Sequence, residues 1–274
     1  MIYCLAVAAQ KYEIDVIDFI ALSNHLHYAI FDRHRNAPEF CGYFHRLLAK
    51  CMNAFRGRVE NFFSTASLSL VRLERRGDLI EKLTYIATNA VQHGLVATAA
   101  EWPGARGFDA LITGEPLRAT RPKFFFSETG TMPTEAALHL TLPPEVGDRV
   151  TFVTELLRRI STLEVQTAEV RMRLGMPVLG GDAVLRQSWM EIPASAMHLA
   201  GEPLIDRTKI SPTIAAIDSS VRKAAIERKL VFEASYREAR REMLDGNRVP
   251  FPPGTYWLAR FAGVAVADHS ARNE

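Results

Sequence analysis

The segment that most constrains the fold is residues 13–31, because it predicts a β-hairpin. The stretch EIDVIDFIAL alternates apolar and acidic side chains, which is typical of a half-buried strand. Ser23 and Asn24 form a turn signal, and HLHYAIF is then the returning strand. His25 and His27 lie two residues apart on that strand, so both imidazoles are expected to leave the same face.

Two imidazoles on one strand face either share a polar contact or bind one metal ion. Neutral imidazole is the commonest nitrogen ligand for metals in proteins. Two ligands do not complete a site, however, and short H-x-H patterns also occur by chance in apolar strands. The bare pattern therefore favours a structural role, and a metal-binding role requires further ligands from elsewhere in the chain.

A second stretch, TYIATNAVQHGLV, predicts a helix that begins near Asp78 and ends at Gly94. Tyr85, Asn89 and His93 are spaced at i, i+4 and i+8, so they lie along one helix face. A half-buried aromatic side chain with its hydroxyl at the rim is the ordinary interpretation of the tyrosine. Asparagine is a poor helix former, and its amide oxygen is a hard ligand for Mg²⁺ or Mn²⁺.

Together the two stretches describe one reaction on a phosphodiester. The phenol of tyrosine is a weak nucleophile unless a metal ion or a base assists it. A divalent ion held by His25, His27 and Asn89 would polarise a phosphate oxygen and orient the phosphodiester. Tyr85 would then be the nucleophile of an in-line attack.

Basic residues are concentrated in one part of the chain, although the net charge is only +2. Residues 33–76 contain nine Lys or Arg and three Glu, a local excess of six positive charges. Such an excess can attract a polyanion, and a basic surface near the site would hold a DNA strand. The candidate DNA-binding residues are Arg46, Lys50, Arg56 and Arg58. The alternative is an ordinary solvated helix face.

The motifs resemble those of a known family. SNHLHYAI resembles the (P/S)NHVHLLV motif of the single-tyrosine HUH transposases, and YIATNAVQHGLV followed by EWPG is similar to their YIxxNPVRAGLV…W helix. The similarity is greatest to the branch associated with repetitive extragenic palindromes, and it covers about residues 1–110. It implies that His25, His27 and Asn89 bind Mg²⁺ or Mn²⁺. It also implies that Tyr85 attacks single-stranded DNA beside a hairpin, leaving a 5′-phosphotyrosine and a free 3′-hydroxyl.

The resemblance also implies a fold: α+β, with a ferredoxin-like antiparallel sheet in residues 1–110. Residues 111–274 are predicted to be mainly helical with some strands, and no function is assigned to them. Ala90 replaces the family's proline, a change that favours the helix. Met1 falls within the family's first helix, so the first strand of the sheet is expected to be missing, leaving an unpaired strand edge. The alternative to an active transposase is therefore an N-terminally truncated, non-catalytic DNA-binding remnant.

The remaining features indicate where the protein works. The cysteines are odd in number and lack C-x-x-C spacing, which suits buried thiols in a reducing compartment. They are Cys4, Cys41 and Cys51. The sequence predicts neither a signal peptide nor a membrane span, so we expect a cytoplasmic protein with no membrane partner. The oligomeric state, monomer or homodimer, stays open.

The other histidines bear on a third alternative, a metal-dependent phosphohydrolase that acts on small substrates. None of them has the spacing of metal ligands, and each is expected to be a surface or capping residue. They are His34, His45, His139, His198 and His269. The phosphohydrolase therefore lacks the ligands that it would need.

Overall fold

The computed structural model describes residues 1–63, 68–188, 190 and 212–267, and these form an α+β structure. The α-helices are α1 (Ile2–Tyr12), α2 (Ala37–Arg56), α3 (Arg76–Gln92), α4 (Phe108–Thr113), α5 (Arg149–Leu174), α6 (Gly181–Arg186), α7 (Ser219–Leu244) and α8 (Trp257–Ala262). The strands are β1 (Asp15–Ala21), β2 (Leu26–Phe31), β3 (Arg72–Leu73), β4 (Leu117–Thr120), β5 (Glu135–Leu138) and β6 (Ile214–Ala215). Ala99–Glu101 and Pro144–Val146 are short 3₁₀ helices.

The predicted hairpin is confirmed. Strands β1 and β2 pair antiparallel, with Ile20 opposite His27 and a register shift between Val16 and Asp18. The turn closes where the backbone N–H of Leu22 donates to the carbonyl of His25 at 2.9 Å. In the rest of the described chain, β4 pairs with β5 antiparallel and β3 with β6 parallel. The α+β class therefore holds, and the ferredoxin-like sheet stays a prediction.

In the described chain β2 pairs with β1 alone, so the expected unpaired edge stays a prediction. The second edge of β1 is hydrogen-bonded. Two later segments of the chain run along this edge and supply its backbone partners. The bonds join Ala21 to Ala105 (2.8 Å), Phe19 to Gly107 (2.8 Å) and Val16 to Thr141 (2.9 Å). Backbone groups of a buried strand must find partners, and here residues outside any regular strand provide them.

The two faces of the hairpin pack against different helices. Side chains of consecutive strand residues point to opposite faces. On one face, Tyr28 makes edge-on ring contacts with Phe40 and Phe44 of α2. On the other face, His27 meets Tyr85 of α3. Helix α2 is amphipathic as predicted, and its buried side chains recur at helical spacing.

Helix α3 ends as predicted, and helix α5 is attached to that end. Gly94 has φ +68°, a left-handed conformation that favours glycine, and a Cβ there would meet the guanidinium of Arg171. Arg171 of α5 donates to the carbonyl of Gln92 at 3.4 Å. The backbone N–H of Leu179 donates to the carbonyl of Gly94 at 2.9 Å. The C-terminal end of α3 is therefore held by the segment that contains α5.

The chain divides into two compact units. One contains Met1–Leu68 and Leu79–Ile210, and the other contains Ser69–Asp78 and Ser211–Glu274. These units divide the chain differently from the predicted 1–110 and 111–274, because α5 belongs with the hairpin. Within the described residues, each helix is too short or too polar to cross a membrane.

Candidate active site

Four predicted site residues meet between the hairpin and α3. The ring centroids of His25 and His27 are 4.9 Å apart, and those of His27 and Tyr85 are 5.3 Å apart. The Nε2 of His25 lies 3.2 Å from the Oδ1 of Asn89, which is 64 residues away in the sequence. Strand β2 and helix α3 thus bring two imidazoles, a phenol and an amide into one cluster.

Asn89 is the most deeply buried member of the cluster. Its side chain is 0 % exposed, and its Nδ2 has no hydrogen-bond partner among the described residues. An amide buried in the middle of a helix is costly unless its polar atoms are used. The oxygen of Asn89 faces His25, so this side chain has a polar task within the cluster.

Each ring nitrogen of His25 faces an amide oxygen. Its Nδ1 lies 2.6 Å from the Oδ1 of Asn24, and its Nε2 lies 3.2 Å from the Oδ1 of Asn89. An amide oxygen only accepts and a neutral imidazole carries one N–H, so His25 donates to one of these oxygens at a time. In the tautomer with the proton on Nδ1, the lone pair of Nε2 faces the oxygen of Asn89, and either a cation bound by both atoms or a turned amide relieves that contact.

Both histidines are neutral at neutral pH. Burial, together with repulsion from His25, Lys82 and His93, lowers the pKa of His27 to about 4. Burial also lowers the pKa of His25, the hydrogen bond to Asn89 acts in the opposite direction, and His93 lowers this pKa further. A metal ligand must present a neutral imidazole, so these two side chains fit a divalent cation.

Two positively charged or titratable side chains border the cluster. The Nζ of Lys82 lies 4.8 Å from the ring centroid of Tyr85, and the ring of His93 lies 6.1 Å from that of His25. The sequence spacing already placed His93 on the same helix face as Tyr85. Sequence reasoning missed Lys82, although its spacing of three residues from Tyr85 indicates the same helix face.

The four predicted DNA-binding residues lie elsewhere. Arg46 and Lys50 are exposed on α2, and Arg56 is half-buried at the end of that helix. Arg58 forms an ion pair with Glu60 at 2.5 Å. Because α2 packs on the opposite face of the hairpin from α3, the structure does not bring these cations to the histidines. Their role in DNA binding stays a prediction.

A cleft that sequence reasoning missed opens beside Tyr85. It has a volume of about 440 Å³ and lies between α3 and α5. Arg158 and Arg159 of α5 line it, together with Glu81 of α3. The available signal was the adjacent arginine pair in a helix that otherwise alternates apolar and polar residues.

The remaining histidines form no second site in the described chain, where no group of three or more His, Cys, Asp or Glu is placed to hold a metal. His34 lies 3.7 Å from Glu13 at the surface, and His139 is exposed. The prediction of a surface or capping role is wrong for His45, which is half-buried beside Tyr28. The remaining two lie outside the described residues: His198 and His269.

Comparisons with protein-family models, with curated proteins and with solved structures find no match to this chain. The chemistry of the site is therefore inferred from the positions, burial and charges of its own residues.

Proposed function

We propose that this protein nicks single-stranded DNA and transfers the strand through Tyr85, in the manner of a single-tyrosine HUH transposase acting in DNA transposition. The observation that carries the proposal is the cluster of His25, His27, Tyr85 and Asn89, with 5.3 Å between the rings of Tyr85 and His27. These residues were selected from two motifs far apart in the sequence. Their meeting on one side of the hairpin supports a shared task.

The proposed cofactor is Mg²⁺ or Mn²⁺. His25 and His27 would hold it with their neutral imidazoles, and Asn89 would hold it with its amide oxygen. Nitrogen and oxygen donors of this kind suit Mn²⁺, and a hard amide oxygen also suits Mg²⁺. When bound, such an ion would polarise a phosphate oxygen and orient the scissile phosphodiester.

The covalent step belongs to Tyr85. Its phenolic oxygen attacks the phosphorus and loses its proton to solvent, and the bond from phosphorus to the 3′-oxygen breaks. That oxygen takes up a proton and leaves as a 3′-hydroxyl, while the phosphate stays on the 5′ end of the other fragment as a phosphotyrosine. The ammonium of Lys82, 4.8 Å from the ring centroid of Tyr85, favours the negative charge that develops during the attack. The phosphotyrosine retains the energy of the broken ester, so rejoining needs no ATP.

The test is covalent capture of DNA. The protein is incubated with Mn²⁺ and a pool of single-stranded oligonucleotides that carry a hairpin and randomised flanks, labelled at the 3′ end. A 3′ label stays on the fragment that Tyr85 retains, so the expected result is a labelled protein band on a denaturing gel. Mass spectrometry of the digested band is expected to locate the nucleotide on Tyr85.

The control variants separate catalysis from binding. Tyr85→Phe is expected to form no adduct and to bind the same DNA as tightly as the unaltered protein. If the unaltered protein binds the pool but forms no adduct with Mn²⁺, the proposal is rejected in favour of a non-catalytic DNA-binding remnant.

A further inference from the structure

The cleft beside Tyr85 is lined by two arginines and lies next to the proposed nucleophile. We propose that it binds the sugar–phosphate backbone of a single DNA strand next to the phosphodiester that Tyr85 attacks. Arg158 and Arg159 are the side chains that contact the phosphates. This inference rests on the proposed function, because the cleft matters to catalysis only if Tyr85 acts on DNA.

The position of the cleft supports the inference. Tyr85 lines the cleft, and its ring centroid lies 5.3 Å from that of His27. A ligand in the cleft is therefore adjacent to the proposed nucleophile. The volume of about 440 Å³ is within the range of about 300–1,000 Å³ found for small-ligand sites. It suits a nucleotide-sized segment of an extended strand and cannot enclose a duplex.

Two arginines on one wall of the cleft are the groups that would bind phosphate. Arg158 is exposed on the α5 wall, and its neighbour Arg159 is half-buried. An Nη of Arg159 lies 3.2 Å from Glu155, and the side chain of Arg159 is 38% exposed. Guanidinium groups bind phosphate through paired N–H donors, so the exposed part of this arginine can donate to a ligand. Glu81, on the α3 wall, is an acid that opposes phosphate binding.

The two threonine hydroxyls along the cleft are already used, which leaves the arginines, together with Tyr85 and the amide of Gln166, as donors. Thr84 donates its hydroxyl to the carbonyl of Ile80 at 2.8 Å, and Thr162 donates to the carbonyl of Arg158 at 2.8 Å. Hydroxyls engaged in this way stay with the helix backbone. The threonines therefore offer no free hydroxyl donor to a ligand, and the arginines supply the positive charge.

The α5 wall is held firmly enough to position its arginines. Phe152, Leu156 and Ile160 are each 3 % exposed or less and form the apolar stripe that anchors the helix. Farther along α5, Glu164 accepts the backbone N–H of Ala99 at 2.7 Å, and Arg171 holds the end of α3. The arginines therefore project from an anchored helix, and their binding needs little ordering of the backbone.

The test measures DNA binding without cleavage. All variants carry Tyr85→Phe, and fluorescence anisotropy follows a short, labelled, unstructured single strand as salt is varied. Arg158→Gln is expected to weaken binding about fivefold and to reduce the slope of log K against log salt by about 0.7. Glu81→Gln, on the opposite wall, is expected to strengthen binding about twofold because it removes a repelling charge. Arg118→Gln, on the exposed strand β4, removes the same charge away from the cleft and is the matched control.

Opposite signs for the two cleft variants, with no change for Arg118→Gln, support the proposal. Equal effects of Arg158→Gln and Arg118→Gln would mean that only overall charge matters, and the proposal would be rejected. Arg159→Gln is the second cleft variant, and its thermal unfolding is measured because Arg159 also pairs with Glu155. These measurements need no covalent adduct. Failure of the cleft proposal therefore leaves adduct formation intact, and failure of catalysis leaves the binding result intact.

Discussion

The two faces of the hairpin each carry a tyrosine beside a histidine, and the two pairs differ in their surroundings. On the α2 face, the ring centroids of Tyr28 and His45 are 5.9 Å apart. On the α3 face, those of Tyr85 and His27 are 5.3 Å apart. The residue types and the spacing are nearly the same, so any difference in chemistry must come from the environment.

The phenol of Tyr28 is used within the structure. Its hydroxyl donates to the Sγ of Cys41 at 3.3 Å and lies 3.1 Å from the Nε2 of His45. Burial raises the pKa of Tyr28, and the neighbouring Cys41 raises it further. This phenol therefore stays protonated and acts as a polar link inside an aromatic cluster.

Tyr85 has different surroundings. It is half-buried, lines a cleft that contains two arginines, and has the ammonium of Lys82 4.8 Å from its ring centroid. Access for a ligand and nearby positive charge are what a nucleophile acting on a phosphodiester requires. A Tyr–His contact alone therefore does not indicate a catalytic role. The access of a ligand to the tyrosine and the charges around it must also be known.

The largest expected effect separates the two phenols by adduct formation. Tyr85→Phe removes the proposed nucleophile and is expected to abolish covalent DNA adducts. Tyr28→Phe keeps the proposed nucleophile and is expected to form adducts at an unchanged rate per folded molecule. A 3′-labelled strand with Mn²⁺ on a denaturing gel measures both. Adducts that persist in Tyr85→Phe and disappear in Tyr28→Phe would mean that Tyr28, and not Tyr85, is the nucleophile.

The next largest expected effect is on the affinity for Mn²⁺, because only the α3 face carries the proposed metal ligands. His25→Ala, His27→Ala and Asn89→Ala are each expected to weaken Mn²⁺ binding at least tenfold, because each removes one of three proposed ligands. Asn89→Asp keeps the oxygen, adds a charge and is expected to restore binding.

The matched control is His45→Ala, which removes an imidazole from the α2 face. Isothermal titration calorimetry of the metal-free protein is the measurement. If His45→Ala weakened Mn²⁺ binding as much as His27→Ala, the two faces would not differ in the way proposed.

Local pattern was enough to predict the hairpin and the end of α3 at Gly94, whereas the choice of four residues that meet came from combining the two motifs and from the family resemblance. Period-two alternation fixes the face of His25 and His27, and i, i+4 spacing fixes the shared face of Tyr85 and Asn89. These rules act over a few residues, so one sequence suffices to apply them. The roles of the four residues stay predictions.

Tertiary packing decided what the sequence did not reveal. Arg158 is separated from Tyr85 by 73 positions, and no local rule states that α5 packs beside α3. The hydrogen bonds that Ala105 and Gly107 supply to β1 come from a loop without strand periodicity. Charge counting along α2 likewise could not indicate which face of the hairpin this helix covers.

A smaller effect is expected on stability, and here the α2 face should be the more sensitive. Tyr28→Phe removes a hydroxyl with two partners and leaves the Nε2 of His45 without one, so it should lower the free energy of unfolding by about 1–2 kcal/mol. Tyr85→Phe, at the rim of a cleft, should change it by less than about 0.5 kcal/mol. Urea unfolding followed by circular dichroism measures both. Equal losses would show that the hydroxyl of Tyr85 also has a structural task.

The smallest effect is the share of His45, on the α2 face, in a pH dependence to which His25 and His27 on the α3 face also contribute. Burial lowers the pKa of His45, which lies against Tyr28 and near Cys41. The unfolded chain then binds a proton more readily than the folded protein, so the free energy of unfolding falls as the pH drops below the ordinary histidine pKa of about 6.5. His45→Gln should make this decline shallower, and the slope that remains is expected from His25 and His27. Urea unfolding between about pH 7 and pH 5 measures the slope. An equal slope in the His45→Gln variant and the unaltered protein would mean that His45 titrates as it does in the unfolded chain, and that the α2 face does not hold its histidine neutral.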